Sequence, residues 1–314
     1  MAKNSSQVRA QNKKTLVKRI RSRWQLYLLL LLPLAWLIIF AYVPMGELVI
    51  AFKKYNVRQG IWGSEWVGLK NFEKFFKSVK FPVVMRNTLT ISLYSLVVTF
   101  PIPIIFALLL NAMPGRRYKK VIQTVTYIPY FISTVVMVGL IFQVLDYRNG
   151  LWGSLFSLFT GKTAPNILAN GKLFKHIYVW SAVWQTTGYS AIIYIAALAG
   201  VDQSLHEAAK VDGATKLQRI WHVDLPAIVP TMVILLIMSV GSVMSVGYEK
   251  VFLMQNNLNI TASEVISTYV YKIGLQQQQY SYSAAIGLFN NGINFILLVV
   301  VNQVSKKLSG SSLW

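Results

Sequence analysis

The 314-residue chain contains no cysteine, which excludes disulfide bonds, zinc-thiolate sites and thiol nucleophiles. Acidic residues are also scarce, with 10 Asp and Glu against 31 Lys and Arg, for a formal net charge of +21. Charged residues make up 13 % of the chain and hydrophobic residues 54 %. An average soluble domain is about 25 % charged and roughly 45–50 % apolar. This composition excludes a disordered chain, disfavours a soluble enzyme and favours an integral membrane protein.

Long uncharged runs support that interpretation, because a helix needs about 20 apolar residues to cross a bilayer core of roughly 30 Å. Six runs without Asp, Glu, Lys, Arg or His reach this length: 26–46, 87–112, 121–145, 178–200, 227–246 and 283–304. Buried helices of a soluble protein would show a polar face, and these runs do not. We therefore predict an all-α polytopic membrane protein with six transmembrane helices. The first run is too long for a cleaved signal peptide and is predicted to be a signal anchor.

The distribution of Lys and Arg predicts the orientation of the spans. Residues 1–23 contain eight basic residues and no acid, and residues 113–120 contain four basic residues. Six spans place both segments and the C-terminal tail on one side, which we predict to be cytoplasmic. The segment 52–86 is also basic but falls outside; residues 70–80 within it are predicted to form an amphipathic surface helix. The predicted domains are a basic cytoplasmic tail (1–23) and a transmembrane domain (24–314).

The connector 201–226 is predicted to be a cytoplasmic loop with two short helices. Ser204 and Glu207 have the spacing of a capping box, and Thr215 can cap a second helix. Gly213 can adopt the left-handed conformation that ends a helix. The second helix would expose apolar side chains, including Trp221, and exposed apolar residues on a short loop indicate a docking surface.

The same loop carries a recognisable motif. Glu207-Ala-Ala, three residues, Gly213, nine residues and then Val223-Asp-Leu-Pro226 match the pattern E-A-A-x3-G-x9-I-x-L-P, with Val in place of Ile. The chain therefore resembles binding-protein-dependent ABC importer permeases. The resemblance implies a type I ABC importer permease fold, in which this loop forms a coupling helix against a cytoplasmic ATPase. It implies ATPase-coupling roles for Glu207, Ala208, Ala209, Asp212, Gly213, Leu225 and Pro226.

Further segments resemble the maltose-type, oligosaccharide branch of that family: Trp66–Phe72, Ser267–Gly274, Tyr280–Leu288 and Leu308–Trp314. The resemblance implies a permease subunit that forms half of a translocation pathway for oligosaccharides by alternating access. It implies four kinds of partner in a bacterial cytoplasmic membrane. These are a second homologous permease, two ATPase subunits, an extracytoplasmic solute-binding protein and the oligosaccharide substrate.

The chain lacks the phosphate-binding loop that ATP hydrolysis requires. Gly161-Lys162-Thr163 imitates the end of a phosphate-binding loop, but Phe156 replaces the required earlier glycine. We therefore expect no cofactor in this chain, with ATP and Mg²⁺ bound by a partner ATPase, and we expect no catalytic residues. The three histidines lack the spacing of metal ligands, so we expect no metal site.

Uncharged polar and aromatic residues within the spans suit a passage for sugars. Sugar rings present C–H faces to aromatic rings and hydroxyl groups to amides. The candidate passage residues are Gln185, Tyr189, Asn290, Asn291, Asn294 and Tyr127. Hydrogen bonding between packed helices is the alternative role for these side chains, and it stays open.

Two other function classes remain as alternatives. A secondary transporter or channel would continue to work after ATP depletion, but such proteins commonly carry an ionisable residue within a span, and none occurs here. A membrane-anchored protein that binds nucleic acid or anionic lipid through residues 1–23 would show steep salt dependence. We expect the bilayer, and no nucleic acid, to contact the chain.

Overall fold

The computed structural model describes residues 22–314, without the side chains of Leu308 and Ser309. The predicted basic tail therefore lies outside the described residues, except for its last two positions. The chain divides into two compact units, Met1–Gly68 and Leu69–Trp314. Helices dominate both units, and the prediction of an all-α fold is confirmed.

The first unit contains one long helical segment, Trp24–Phe52, which includes the first predicted span. It consists of α1 (Trp24–Leu37), a π-helical turn (Ile38–Tyr42), α2 (Val43–Glu47) and a 3-10 turn (Leu48–Phe52). No residue from α1 to α2 is buried. The strands β1 (Lys53–Lys54) and β2 (Glu65–Trp66) then pair antiparallel across α3 (Gly60–Gly63).

The second unit contains the remaining helices of the described chain. In order they are α4 (Lys70–Phe76), α5 (Lys80–Thr99), α6 (Pro101–Ala112), α7 (Arg116–Tyr127), α8 (Thr134–Leu145), α9 (Leu151–Thr160), α10 (Gly171–Ala199), α11 (Gln203–Val211), α12 (Lys216–Arg219), α13 (Leu225–Gly241), α14 (Tyr248–Met254), α15 (Ile260–Ser263), α16 (Ile266–Tyr271) and α17 (Tyr280–Ser309). Its core forms where α10 crosses α5, α6 and α13, as in the apolar cluster of Leu108, Tyr194 and Ile228.

Four helical segments among the described residues are long and apolar enough to cross a membrane: Trp24–Phe52, Lys80–Ala112, Lys216–Gly241 and Tyr280–Lys307. They contain most of the first, second, fifth and sixth predicted runs. The fourth run, except its last residue, lies within the 29-residue helix α10. The middle of this helix contains Trp, Gln, Thr and Tyr and is therefore less apolar. The count of six spans stays a prediction.

The third predicted run is not one straight span. The segment Arg116–Phe131 and helix α8 meet at an angle of 102°. Pro129 lies in a 3-10 turn, Ile128–Phe131, where its missing N–H interrupts the helical hydrogen bonds. A new helix begins after Ser133, whose hydroxyl accepts the N–H of Val136 at 3.4 Å. The two segments together form a broken span or a re-entrant turn.

The amphipathic helix predicted for residues 70–80 is shorter than predicted. Helix α4 ends at Phe76, and Val79 is exposed. Phe75 is buried, with its ring edge-on to Phe81 at 5.0 Å and to Phe289 of α17 at 5.7 Å. The apolar face of α4 therefore packs against α17, because burial among aromatic rings removes more apolar area from water than a surface position would.

Candidate functional site

The first helix of the 201–226 loop begins with a different cap from the one predicted. Asp202, and not Ser204, caps α11, because its carboxylate accepts the backbone N–H of Ser204 at 2.9 Å. A carboxylate at this position also interacts favourably with the positive end of the helix dipole. This hydrogen bond lowers the pKa of Asp202 below its usual value. The capping box expected of Ser204 with Glu207 is therefore wrong.

The turn between the two loop helices follows the sequence prediction. Gly213 has φ +76°, and the N–H of Ala214 donates to the carbonyl of Ala209 at 2.8 Å. Thr215 then caps α12: its hydroxyl accepts the N–H of Gln218 at 3.3 Å, and the Gln218 side chain accepts the N–H of Thr215 at 2.7 Å. The predicted helix stop and second cap are confirmed.

The second loop helix is continuous with a predicted span. Helix α12, a π-helical turn (Ile220–Asp224) and α13 form one helical segment, Lys216–Gly241. The wide π turn precedes Pro226, which lacks the N–H that a regular helix would use at that position. The second loop helix and α13 are therefore joined without a non-helical linker.

A buried carboxylate holds the loop against the neighbouring helices. Asp224 is 3 % exposed, and its Oδ1 lies 3.3 Å from Nε2 of His206 in α11. The same oxygen accepts the amide of Asn111, at the end of α6, at 3.2 Å. Lys119 of α7 donates to the carbonyl of Asn111 at 2.9 Å. The sequence analysis did not predict a role for Asp224 or Asn111. The only sequence signal for Asp224 was its position as an acidic residue directly before an apolar run.

The outer surface of the loop carries four exposed apolar side chains among polar and charged ones. Leu205, Val211, Leu217 and Trp221 are all more than half exposed. The predicted coupling residues that are exposed are Glu207, Ala208, Asp212, Gly213 and Pro226; Ala209 and Leu225 are half-buried. An exposed apolar patch on a rigidly held loop is a surface suited to a protein partner.

A cavity of about 640 Å³ lies between α5, α6, α10, α13 and the segment 242–247. We call it the hydroxyl cavity, after the hydroxyl side chains in its wall, which include Ser92, Ser95, Thr99, Thr186, Tyr189, Ser190, Ser239, Ser242 and Ser245. The wall also contains apolar side chains such as those of Ile91, Phe100 and Leu235. None of its lining residues in the described part of the chain is charged. Its volume lies within the range of small-molecule sites, roughly 300–1,000 Å³.

The segment 242–247 is a break that the sequence did not reveal, since the fifth run was predicted to continue to residue 246. Helix α13 instead ends at Gly241, where a Cβ would lie 2.6 Å from the Leu298 side chain. Asn294 of α17 holds the segment: its amide oxygen accepts the N–H of Met244, and its amide nitrogen donates to Ser245, both at 2.9 Å. The amide thereby keeps Ser245 in the cavity wall.

Of the six candidate passage residues, Tyr189 lines the hydroxyl cavity, where it stacks on Tyr130 at 3.7 Å between ring centroids. Gln185 donates instead to the carbonyl of Ile132 at 3.0 Å and supports the bend before α8. Asn294 has the supporting role described above. Three further candidates lie outside the lining of this cavity: Tyr127, Asn290 and Asn291. The passage role of this set stays a prediction.

Two further sequence expectations concern metal ligands and the glycine of the imitated phosphate-binding loop. Residues 22–314 contain no group of three or more His, Asp or Glu placed to hold a metal ion. Gly161 ends α9 with φ +69°. A phosphate-binding loop places its glycines before a helix, and here the glycine follows one.

Comparison with known proteins gives the family. A family model described as "Binding-protein-dependent transport system inner membrane component" matches residues 100–310. The chain belongs to this family. It is 41 % identical over 302 residues to the polygalacturonan/rhamnogalacturonan transport system permease protein YteP of Bacillus subtilis, covering 96 % of this chain and 94 % of that protein. It is 40 % identical to Protein LplB of the same organism, covering 94 % and 92 %.

A solved structure also resembles this permease along most of its length. A chain of a bacterial ABC transporter involved in the import of the acidic polysaccharide alginate superimposes with a TM-score of 0.87 and 35 % identity. The match covers 94 % of this chain and 99 % of that one. The predicted family and permease fold are confirmed: the chain is a multi-pass membrane permease of a binding-protein-dependent transport system.

Proposed function

We propose that this chain is the permease subunit of an ATP-driven importer for oligosaccharides and forms half of the translocation pathway. The observation that carries the proposal is the hydroxyl cavity. Its wall combines many hydroxyl groups with the stacked Tyr130–Tyr189 pair and has no charge among the described lining residues. Hydroxyl groups exchange hydrogen bonds with sugar hydroxyls, and aromatic rings contact the C–H faces of sugar rings.

The names of similar proteins support this substrate class. YteP is named for polygalacturonan and rhamnogalacturonan. The alginate transporter has also been solved in complex with an alginate pentasaccharide-bound periplasmic protein. We propose a solute-binding protein as the donor of substrate here too, and a second homologous permease as the other half of the pathway.

The 201–226 loop would dock onto one of two ATPase subunits, which would bind ATP and Mg²⁺. Its apolar surface and its buried support through Asp224 suit that role. When ATP closes the ATPase pair, the loop would move with it and carry α13, so that the pathway opens outward to receive sugar. Sugar would be released inside after hydrolysis, and no bond of the sugar is broken.

We propose the orientation with both termini in the cytoplasm of a bacterial cell. The contacts from Lys119 to Asn111 and from Asn111 to Asp224 bring the basic connector 113–120 next to the loop. The two segments therefore lie at the same end of the helices, which supports assigning the basic connector and the ATPase-docking loop to the cytoplasmic side.

The test is uptake by the assembled transporter. The chain, its partner permease, the ATPase and the binding protein are reconstituted in vesicles, and uptake of labelled oligosaccharides is measured with and without ATP. We expect strictly ATP-dependent uptake that Glu207→Lys abolishes while the chain remains in the membrane. Lys162→Gln, an exposed substitution in the turn after α9, serves as the matched control and should leave uptake unchanged.

Uptake that survives removal of ATP but collapses with an ion gradient would contradict the proposal and favour a secondary transporter. Full uptake by Glu207→Lys would contradict the coupling role of the loop.

A further inference from the structure

A second cavity, of about 350 Å³, lies between residues 86–91 of α5, the first two turns of α10 and Ala262 of α15. We call it the basic cavity, because Arg86, Lys172, Lys175 and His176 line it. Within residues 22–314, no Asp or Glu lies at ion-pair distance from Arg86, Lys172 or Lys175. Three positive side chains around one concave space, without a carboxylate of their own, are suited to an anion.

The neighbouring carboxylate is not available to neutralise these cations. Glu264 follows α15, which forms part of the cavity wall, but it already pairs with Lys80 at 2.8 Å and Lys272 at 3.1 Å. Burial acts to raise the pKa of Glu264, and the hydrogen bonds from both lysines hold it below the usual value. Glu264 is therefore ionised, and its charge is matched by two lysines outside the cavity.

Hydrogen bonds hold the walls of the basic cavity in place. Asn87 of α5 donates to the carbonyls of Thr261 at 2.9 Å and Glu264 at 3.0 Å. Asn259 donates to the carbonyl of Leu168, just before α10, at 3.2 Å. At Gly171, a Cβ would lie 2.9 Å from the Ala262 methyl group, so glycine permits the close approach of α10 to α15. The cavity is thus preformed, which reduces the entropy lost on binding.

His176 adds an imidazole ring to the wall of the basic cavity. The indole N–H of Trp180 donates to the Tyr94 hydroxyl at 3.0 Å, and Nδ1 of His176 lies 3.1 Å from the same hydroxyl oxygen. These contacts hold the ring in place beside the three cations.

On the basis of the proposed function, we infer that the basic cavity binds the carboxylates of an acidic oligosaccharide, one built from uronate sugars, before it enters the hydroxyl cavity. Ile91 lines both cavities, so the two are neighbours along α5. A small concave space suits a sugar ring better than the flat surface of a folded partner. The cations would select the charged sugar at the entrance, and the uncharged hydroxyls beyond would let it move on.

The experiment uses the assembled transporter in vesicles with two matched probes. Tetragalacturonate carries a carboxylate on every ring, and its methyl ester has the same rings without charge. Uptake is compared for the native chain and for Arg86→Gln/Lys172→Gln/Lys175→Gln, in phosphatidylcholine vesicles with and without phosphatidylglycerol. The charge-retaining variant Arg86→Lys/Lys172→Arg/Lys175→Arg and the distant Lys162→Gln are controls.

We expect the triple Gln variant to raise KM for tetragalacturonate about tenfold while uptake of the ester is unchanged, since charge-assisted hydrogen bonds are lost. The charge-retaining variant should restore most of the native KM. Should the triple variant fail to assemble, Lys175→Gln alone is expected to raise that KM about threefold.

Equal loss of both probes would overturn the inference in favour of a structural role. If the triple Gln variant changed only how uptake depends on phosphatidylglycerol, the inference would be overturned, and the basic cavity would be assigned to a lipid phosphate. Native uptake of the ester but not of the acid would overturn the inference and leave the proposed function standing. Uptake of neither probe would overturn the inference and leave the proposed function standing, whereas ATP-independent uptake would reject the proposed function itself.

Discussion

The 201–226 loop and the hydroxyl cavity differ in two ways: in the side chain that holds each in place, and in the side chains that each presents to a binding partner. The loop is held by a buried carboxylate, Asp224 with His206, and presents apolar side chains outward. The cavity is held by an uncharged amide, Asn294, and presents hydroxyl groups inward. Apolar contacts suit a partner that stays bound, whereas hydroxyls hold a sugar only through bonds that water can replace. Under the proposed function, the loop would be a surface for lasting attachment and the cavity a surface for transit.

The largest effect is expected at the loop turn. Gly213→Pro forces φ from +76° toward about −65°, which the turn cannot accept, although space around the residue is open. We expect ATP-dependent uptake to fall below about one-tenth. The matched control is Gly310→Pro, at another glycine with positive φ, at the end of α17. Equal loss from both variants would show that the effect is general misfolding and not local to the loop.

The support of the loop should show energetic coupling. Asp224→Leu leaves the half-buried Asn111 amide and His206 without their acceptor, at a cost of about 1–3 kcal/mol in stability. The double variant Asp224→Leu/His206→Leu should cost less than the sum of the two single variants, by about 1 kcal/mol. Thermal unfolding in detergent measures all four proteins. Strict additivity would mean that the 3.3 Å contact contributes nothing to stability.

The support of the cavity can be compared with a neighbouring asparagine on the same helix. Asn294→Leu removes the bonds to Met244 and Ser245 and should destabilise the chain by about 1–2 kcal/mol, with weaker uptake. Asn291→Leu, at an exposed position one helical turn away, should change stability by less than about 0.5 kcal/mol. If both variants unfolded at the same temperature, Asn294 would not have the supporting role described here.

The smallest effect is a pH dependence near the cavity. Lys250 is buried, donates to the carbonyl of Tyr178 at 3.2 Å, and has its pKa lowered by burial to about 8, from 10.5 when unfolded. The unfolded chain therefore binds more protons above pH 8, so native stability should rise by about 1 kcal/mol between pH 8 and pH 9. Lys250→Met should flatten this rise in a thermal-unfolding series. A native profile already flat over that range would exclude the effect.

Local features of the site were accessible from the sequence, because caps and turns depend on residues three or four positions apart. Gly213 and Thr215 were found in that way. The N-cap of α11 was predicted wrongly as Ser204. Asp202 and Ser204 are two residues apart and can both cap a helix, and the carboxylate of Asp202 is the group that does so. The bend near Pro129 was visible as a proline, but the sequence carried no information on its angle.

Long-range features were not accessible from the sequence. The amide of Asn111 meets Asp224 across 113 positions, and Asn294 meets Met244 across 50. No periodicity links such pairs, and both depend on how α6, α13 and α17 pack. The basic cavity has the same origin, since Arg86 and Lys175 come together only when α5 and α10 pack.

The segment Lys216–Gly241 is one continuous helical segment, so under the proposed function it would act as a lever. Its 26 residues, at about 1.5 Å per residue, give an arm of about 39 Å from the loop to the edge of the hydroxyl cavity. If the loop end served as the pivot, a tilt of about 5° would displace the far end by about 3 Å, comparable to the size of a hydroxyl group. A small adjustment at the loop would thus be enough to shift Ser239 and its neighbours relative to the opposite wall.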